Sequence, residues 1–140
     1  MTIPSPRDIA LAFVAKINAH DLDGLCALMT DDHLFIDSLA TEVKGRETMR
    51  GAWLAYFHMI PDFAIEIDTI LTEGNTVGLF GRSRGTFSPD GMLSVRNKWE
   101  MPSAWRALVR GHQVAEWQVF ADNEPVRLLM SDQGAGPAKH

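Results

Sequence analysis

Two aspartates stand where a carboxylate could act as an acid or a base. Asp37 alternates with Phe35 in the strand-like run 33–38, so the two side chains share one face of the predicted strand. Asp122 shares a face with Phe120 at the end of a second such run, residues 113–122. A carboxylate shielded from water is suited to taking a proton from a carbon next to a carbonyl group. We therefore predict Asp37 and Asp122 as catalytic residues; the alternatives are a solvated strand end for Asp37 and a helix cap for Asp122.

Aromatic and polar side chains at regular spacing are the candidates for a ligand pocket. Trp53 has core-facing spacing on a predicted helix, while Tyr56, the only tyrosine, and His58 lie toward its end. The alternatives are core packing for Trp53 and plain surface positions for Tyr56 and His58. Period-two spacing places one further set on a long strand and another on the last strand. These two sets are Trp99, Met101 and Ser103, and Glu116, Gln118 and Phe120.

Motifs for a metal, a cofactor or a covalent nucleophile are absent from the sequence. The five histidines lack the spacing of metal ligands, and Cys26 is the only cysteine. There is no glycine-rich phosphate loop and no G-x-S-x-G nucleophile motif. We therefore predict that the protein uses neither a metal nor a cofactor.

Length and charge restrict the class of protein and its partners. A chain of 140 residues with 46% hydrophobic residues is sufficient for one packed domain. We assign this domain to residues 1–130 and a flexible tail to residues 131–140. The net charge of −5 disfavours nucleic acid and anionic membrane surfaces as partners. No apolar run is long enough to span a membrane and no export signal is evident, so we expect a cytoplasmic protein without membrane contact.

The predicted elements follow the order helix, helix, strand, helix and then four strands. The first helix begins at the capping sequence Ser5-Pro6-Arg7-Asp8, and the third helix ends at Pro61. From Phe63 onward the apolar period changes from helical spacing to two, and a last short helix begins near residues 123–125. Helices that are segregated beside an antiparallel sheet indicate the α+β class.

Residues 13–25, together with residues 27–32 and Asp37, resemble the N-terminal third of bacterial ketosteroid isomerases. The chain is similar more broadly to the nuclear-transport-factor-2-like superfamily, which includes SnoaL-like polyketide cyclases, limonene epoxide hydrolases and noncatalytic domains. This resemblance implies a cone: a curved antiparallel sheet wraps around three N-terminal helices and leaves an apolar cavity open at one end. The opposite face of the sheet often forms a dimer interface in this superfamily.

The resemblance assigns individual residues to the site only in part. The general-base aspartate of the isomerases falls on Asp37, and an acid/base aspartate of the cyclases lies nearest Asp122. The tyrosine and the protonated aspartic acid that stabilise the oxyanion fall on Phe13 and Ser103. Because Phe13 has no donor and Ser103 is a weak one, we predict that the protein is not an efficient ketosteroid isomerase.

The last strand gives two conflicting interpretations. The resemblance directs Glu116, Gln118 and Phe120 into the cavity, although a polar strand face normally contacts water. The other face of this strand carries Trp117, and a side chain of that size is rarely left in water. We predict that Trp117, Val119 and Ala121 pack against a second copy of the chain, giving a homodimer.

These observations lead to one preferred function and two alternatives. We predict an acid/base isomerase or aldol-type cyclase that acts on a small, apolar carbonyl compound. The first alternative is a noncatalytic ligand-binding or dimerisation module of the same fold. Epoxide hydrolysis ranks last, because the long strand carries no Asp-x-Arg pair.

Overall fold

The computed structural model describes residues 4–132, which form one six-stranded sheet and four α-helices. The helices are α1 (Pro6–Ala19), α2 (Leu22–Ala27), α3 (Arg46–Met59) and α4 (Glu124–Asp132). The strands are β1 (Met29–Ile36), β2 (Glu42–Lys44), β3 (Ala64–Glu73), β4 (Thr76–Thr86), β5 (Lys98–Arg110) and β6 (Gln113–Phe120). Residues 131 and 132 of the predicted tail belong to α4, and residues 133–140 lie outside the described part.

The strands follow the order β2-β1-β6-β5-β4-β3 across the sheet. All neighbouring pairs are antiparallel except β1 and β6, which run parallel. The parallel pair joins strands far apart in the sequence, so it could not be predicted from hairpin signals. The predicted α+β class, with a curved sheet around three N-terminal helices, is confirmed.

Helix α1 begins as its sequence predicts. The Ser5 hydroxyl accepts a hydrogen bond from the Asp8 amide, while the Asp8 carboxylate accepts one from the Ser5 amide. Ile9, Phe13 and Ile17 recur at helical spacing and are buried. Their apolar face packs against the sheet and forms the centre of the core.

Helix α1 also holds the first residues of β3 in place. The Asn18 side chain donates a hydrogen bond to the carbonyl oxygen of Ile65 and accepts one from its amide, at 2.9 and 2.8 Å. These two bonds satisfy the backbone of Ile65 where β3 has no further neighbouring strand. As a result, the Ile65 side chain is fixed on the inner face of the sheet.

The inner face of β6 is the opposite of the one that the family resemblance indicated. Trp117 pairs with Ala107, and Gln118 pairs with Arg106, so Trp117 shares the inner face with the buried side chain of Ala107. Glu116 and Gln118 point to the outer face, where Arg106 donates hydrogen bonds to both. The predicted orientation of Glu116, Gln118 and Phe120 toward the cavity is therefore wrong. A register shift of one residue exchanges the two faces of a strand, and the resemblance does not fix the register that closely.

The predicted packing of Trp117, Val119 and Ala121 against a second copy is also wrong. Trp117 is 1% exposed and is covered by its own chain. Its ring centroid lies 4.7 Å from that of Phe13 and 6.4 Å from that of Trp105. This face of β6 belongs to the interior of one protomer.

Candidate functional site

A single cavity contains side chains from all four tryptophans of the sequence. Its volume is about 240 Å³. Helix α3 contributes Trp53, β5 contributes Trp99 and Trp105, and β6 contributes Trp117. The other lining residues are Phe35, Ser38, Val43, Met49, Ala52, Tyr56, Phe63, Ile65, Ser83, Val119, Ala121 and Asn123.

Aromatic rings form a continuous wall on one side of the cavity. The Tyr56 ring lies edge-on to Trp53 and to Phe63, with centroids 6.0 and 4.9 Å apart, and Phe63 lies 6.1 Å from Trp99. The indole N–H groups of Trp53 and Trp99 are closed to solvent and have no acceptor among residues 4–132. The wall therefore presents ring surfaces to a ligand rather than free indole donors.

The part of the chain that the structure describes places no charged side chain in the cavity lining. Apart from the indoles, the polar lining side chains are Ser38, Tyr56, Ser83 and Asn123. Burial raises the pKa of the Tyr56 hydroxyl, so this side chain remains a neutral phenol at physiological pH. The lining thus offers hydroxyl and amide groups but no ion to balance a charged ligand.

Ser38 and Asn123 meet at one edge of the cavity. The Asn123 Nδ2 donates a hydrogen bond of 2.7 Å to the Ser38 Oγ. Both residues line the cavity and both are partly exposed, so the cavity reaches solvent at this edge. The contact joins the turn after β1 to the start of α4, two segments that are 85 residues apart. We refer to these two residues as the Ser38–Asn123 edge.

The two predicted catalytic aspartates flank this edge, although neither is a lining residue. Asp37 precedes Ser38, and its Oδ1 accepts hydrogen bonds from the amides of Leu39 and Thr41, both at 2.9 Å. Asp122 precedes Asn123, and its Oδ1 accepts from the Glu124 amide at 3.1 Å. The structure thus brings the two aspartates to one side of the cavity. Asp122, which accepts from the first amide of α4, matches the helix cap named as its alternative, whereas Asp37 lies just after the end of β1, at the strand end named as its own.

The remaining predicted site residues divide into three groups. Trp53, Tyr56 and Trp99 line the cavity. Phe13, Met101 and Ser103 are buried next to it without lining it. His58 and Phe120 are exposed, and Glu116 and Gln118 bind Arg106 on the outer face of the sheet.

Sequence reasoning missed several lining residues. Trp105 was not among the predicted ligand-binding residues, and Trp117 was predicted to lie at an interface between two copies of the chain. Ser83 alternates with Arg82 and Arg84 on β4, so strand parity alone could have placed it inside. Asn123 follows the end of β6, where no periodicity indicates the direction of a side chain.

His33 is a buried titratable residue behind the cavity. Its ring is fully buried and stacked on Phe13 at 5.9 Å, and Nδ1 donates a 2.7 Å hydrogen bond to the carbonyl oxygen of Val114. Nε2 is buried and has no partner within residues 4–132. Burial lowers the pKa of His33, while the bond to Val114 and the nearby carboxylates of Asp32 and Glu116 oppose this effect in part.

We expect this histidine to make the fold sensitive to mild acid. The unfolded chain takes up a proton near pH 6.5, whereas the folded chain does so only at lower pH. The contribution of neutral His33 to the free energy of unfolding is therefore complete above pH 6.5. It is lost as the pH falls toward the pKa that His33 has in the folded protein. Urea unfolding at pH 7.5 and 5.5 measures how much the free energy of unfolding falls between these two pH values. We expect a smaller fall in His33→Phe and an unchanged fall in the control His112→Gln, which replaces an exposed histidine. An equal loss in the parent and in His33→Phe would refute this assignment.

Two further properties are evident in the described residues. No group of three or more His, Cys, Asp or Glu side chains within residues 4–132 is arranged to hold a metal ion. The helices in this range are too short or too polar to cross a membrane.

Three solved structures share this fold over nearly their whole length. A protein with a ketosteroid isomerase-like fold from Catenulispora acidiphila, in complex with trimethylamine, is 20% identical; the match covers 97% of this chain and 96% of that chain, with a TM-score of 0.73. A proposed SnoaL-like polyketide cyclase from Shewanella denitrificans is 15% identical, with 91% and 98% coverage and a TM-score of 0.77. A proposed polyketide cyclase from Streptomyces antibioticus is 22% identical, with 89% and 97% coverage and a TM-score of 0.73. At these identities the similarity shows the fold alone.

Sequence comparison identifies the family. No curated protein matches the chain in sequence. The model of the SnoaL-like domain, in contrast, matches residues 10–122, a range that begins in α1 and ends just after β6. Because this match spans most of the sequence and the fold agrees with it, the chain belongs to the SnoaL-like domain family of the nuclear-transport-factor-2-like superfamily.

Proposed function

We propose that the protein binds a neutral, largely apolar small molecule that carries a carbonyl group. The observation that carries this proposal is the cavity itself, in which four tryptophans and no described charged side chain form the lining. Burying an ion without a partner costs several kcal/mol or more. Burying an apolar ring, in contrast, stabilises the complex by about 25 cal/mol for each Å² of ring surface that is removed from water. The lining therefore favours a neutral ligand over an anion or a cation of the same shape.

A matched ligand series tests this preference. The tetralin skeleton can carry a ketone, a carboxylate or an ammonium group at the same carbon, so that shape stays nearly constant while charge changes. We expect 1-tetralone to bind at least about tenfold more tightly than either ion in calorimetric titrations at pH 7.5, because only the ions lose hydration without a counter-charge. Tighter binding of the ammonium compound would contradict the proposal. It would instead indicate a cation held by the aromatic rings, as an amine is present in the Catenulispora complex.

The second candidate function is cofactor-independent acid/base catalysis, either isomerisation or aldol-type cyclisation, at the Ser38–Asn123 edge. It is favoured by the placement of Asp37 and Asp122, each of which adjoins a residue of this edge. The second carboxylate oxygen of each aspartate makes no hydrogen bond within residues 4–132 and can accept a proton. The apolar body of a substrate would lie against the tryptophans, with the carbon that loses the proton at the open edge. The two structures with this fold that are described as proposed polyketide cyclases are consistent with this type of chemistry.

We also propose that two copies of the chain associate through the outer face of the sheet. Phe120, Ala104 and Phe80 lie side by side across β6, β5 and β4, and the two phenylalanines are 49% and 44% exposed. A second copy would remove both rings from water. Light scattering at micromolar concentration should give a dimer for the parent and a monomer for Phe80→Glu. The control Leu54→Glu, on the exposed side of α3, should remain dimeric; a monomeric parent would rule out this interface.

A further inference from the structure

Two serine hydroxyls form a pair in the wall of the cavity. Ser83 on β4 lines the cavity, and its Oγ lies 2.7 Å from the Oγ of Ser103 on β5. Both residues are 7% exposed. Ser103 is not a lining residue, so it lies behind Ser83 as seen by a ligand. The apolar lining around Ser83 includes Ile65, its direct partner on β3.

The protons of this pair can be arranged in two ways. In the first arrangement, Ser83 donates to Ser103, and Ser103 donates to the carbonyl oxygen of Met101 at 3.3 Å. In the second, Ser103 donates to Ser83, and the Ser83 proton is free to point into the cavity. The 2.7 Å bond is kept in both arrangements. Only the contact with Met101 is given up in the second, and at 3.3 Å it exceeds the usual length for a hydroxyl donor.

We propose that Ser83 is the specificity-determining donor of the cavity and binds the carbonyl oxygen of the ligand, with Ser103 as its positioning residue. This inference rests on the proposed function, because it names the group that recognises the carbonyl. A ligand oxygen replaces the long contact to Met101 with a full hydrogen bond, so it draws the pair into the second arrangement. Donation from Ser103 to Ser83 also polarises the Ser83 hydroxyl and strengthens its own donation.

A carbonyl fits this site better than a hydroxyl group does. A ligand hydroxyl brings both a donor and an acceptor into the apolar wall, and Ser83 can satisfy only one of them at a time. A carbonyl needs a single donor. The pair therefore selects an acceptor without any charge in the described lining.

Binding of 1-tetralone and of its hydrocarbon parent, tetralin, to a set of serine variants tests this assignment. In calorimetric titrations, Ser83→Ala should weaken binding of 1-tetralone by about 5- to 20-fold and change tetralin binding by less than about twofold. Ser103→Ala should reduce the ratio of ketone to hydrocarbon affinity by a smaller factor, and Ser103→Thr, which keeps the hydroxyl, should restore it. Ser88→Ala serves as the matched control, since Ser88 is a buried serine of the described chain that does not line the cavity.

The possible outcomes separate this inference from the proposed function. If the parent binds both ligands and Ser83→Ala leaves the affinity ratio unchanged, the ketone is recognised elsewhere and the inference is overturned. An equal loss for the two ligands in Ser83→Ala would also overturn it, because only the shape of the wall would then have changed. If the parent binds neither ligand, the proposed function fails and the inference fails with it.

Discussion

Asp37→Asn is expected to lower the rate of proton abstraction by about 10²–10⁴-fold, the usual contribution of a general base. Two backbone amides fix Oδ1 of Asp37, so the carboxylate is held in one orientation beside the Ser38–Asn123 edge. Asparagine keeps an oxygen that can accept these two bonds, and therefore the turn should be preserved. Only the ability to take up a proton is removed.

Exchange of the C2 protons of 1-tetralone for deuterium, followed by NMR, measures this step without knowledge of the natural substrate. The proton on C2 passes to the Asp37 carboxylate while the electron pair of the C–H bond moves onto the carbonyl oxygen. The Asp37 carboxyl group then exchanges this proton for a deuteron from D₂O and returns the deuteron to C2, which regenerates the ketone and the carboxylate. Ligand affinity should change little in Asp37→Asn, which separates chemistry from binding.

Asp122→Asn tests the second predicted aspartate in the same measurement. Asp122 is exposed and holds a single backbone amide at the start of α4, so we expect its substitution to change the exchange rate by less than about tenfold. A large loss of exchange rate in Asp122→Asn, with no loss in Asp37→Asn, would assign the acid/base role to Asp122 at the end of the last strand. Binding of 1-tetralone without exchange above the background in the parent would leave the noncatalytic module as the function.

Local signals in the sequence were sufficient to predict the helices and the fold class. The Ser5–Asp8 capping box and the spacing of Ile9, Phe13 and Ile17 predict α1, because both act within a few turns of the chain. Period-two alternation likewise predicts which residues of β5 face inward. The family resemblance, carried by residues 13–37, is confirmed by the match over residues 10–122.

The candidate site was predicted less completely, because its geometry depends on contacts between distant segments. Trp117 faces the cavity because of the register in which β5 pairs with β6. This register could not be predicted from the sequence. The Ser38–Asn123 contact depends on the parallel pairing of β1 with β6, which brings the ends of the two strands together. The partnership of Ser83 with Ser103 depends in the same way on the pairing of β4 with β5.

The most direct test of the account is to fill the cavity and measure binding. Ala121 lines the cavity and is partly exposed, so a tryptophan at this position can occupy the open volume without displacing the core. We expect Ala121→Trp to weaken binding of 1-tetralone by at least about 100-fold, while its unfolding temperature stays the same or rises. The control Ala55→Trp adds the same ring at an exposed position of α3 that does not line the cavity, and it should bind like the parent. If Ala121→Trp is folded and binds 1-tetralone as tightly as the parent does, the ligand site is not this cavity and the central claim is wrong.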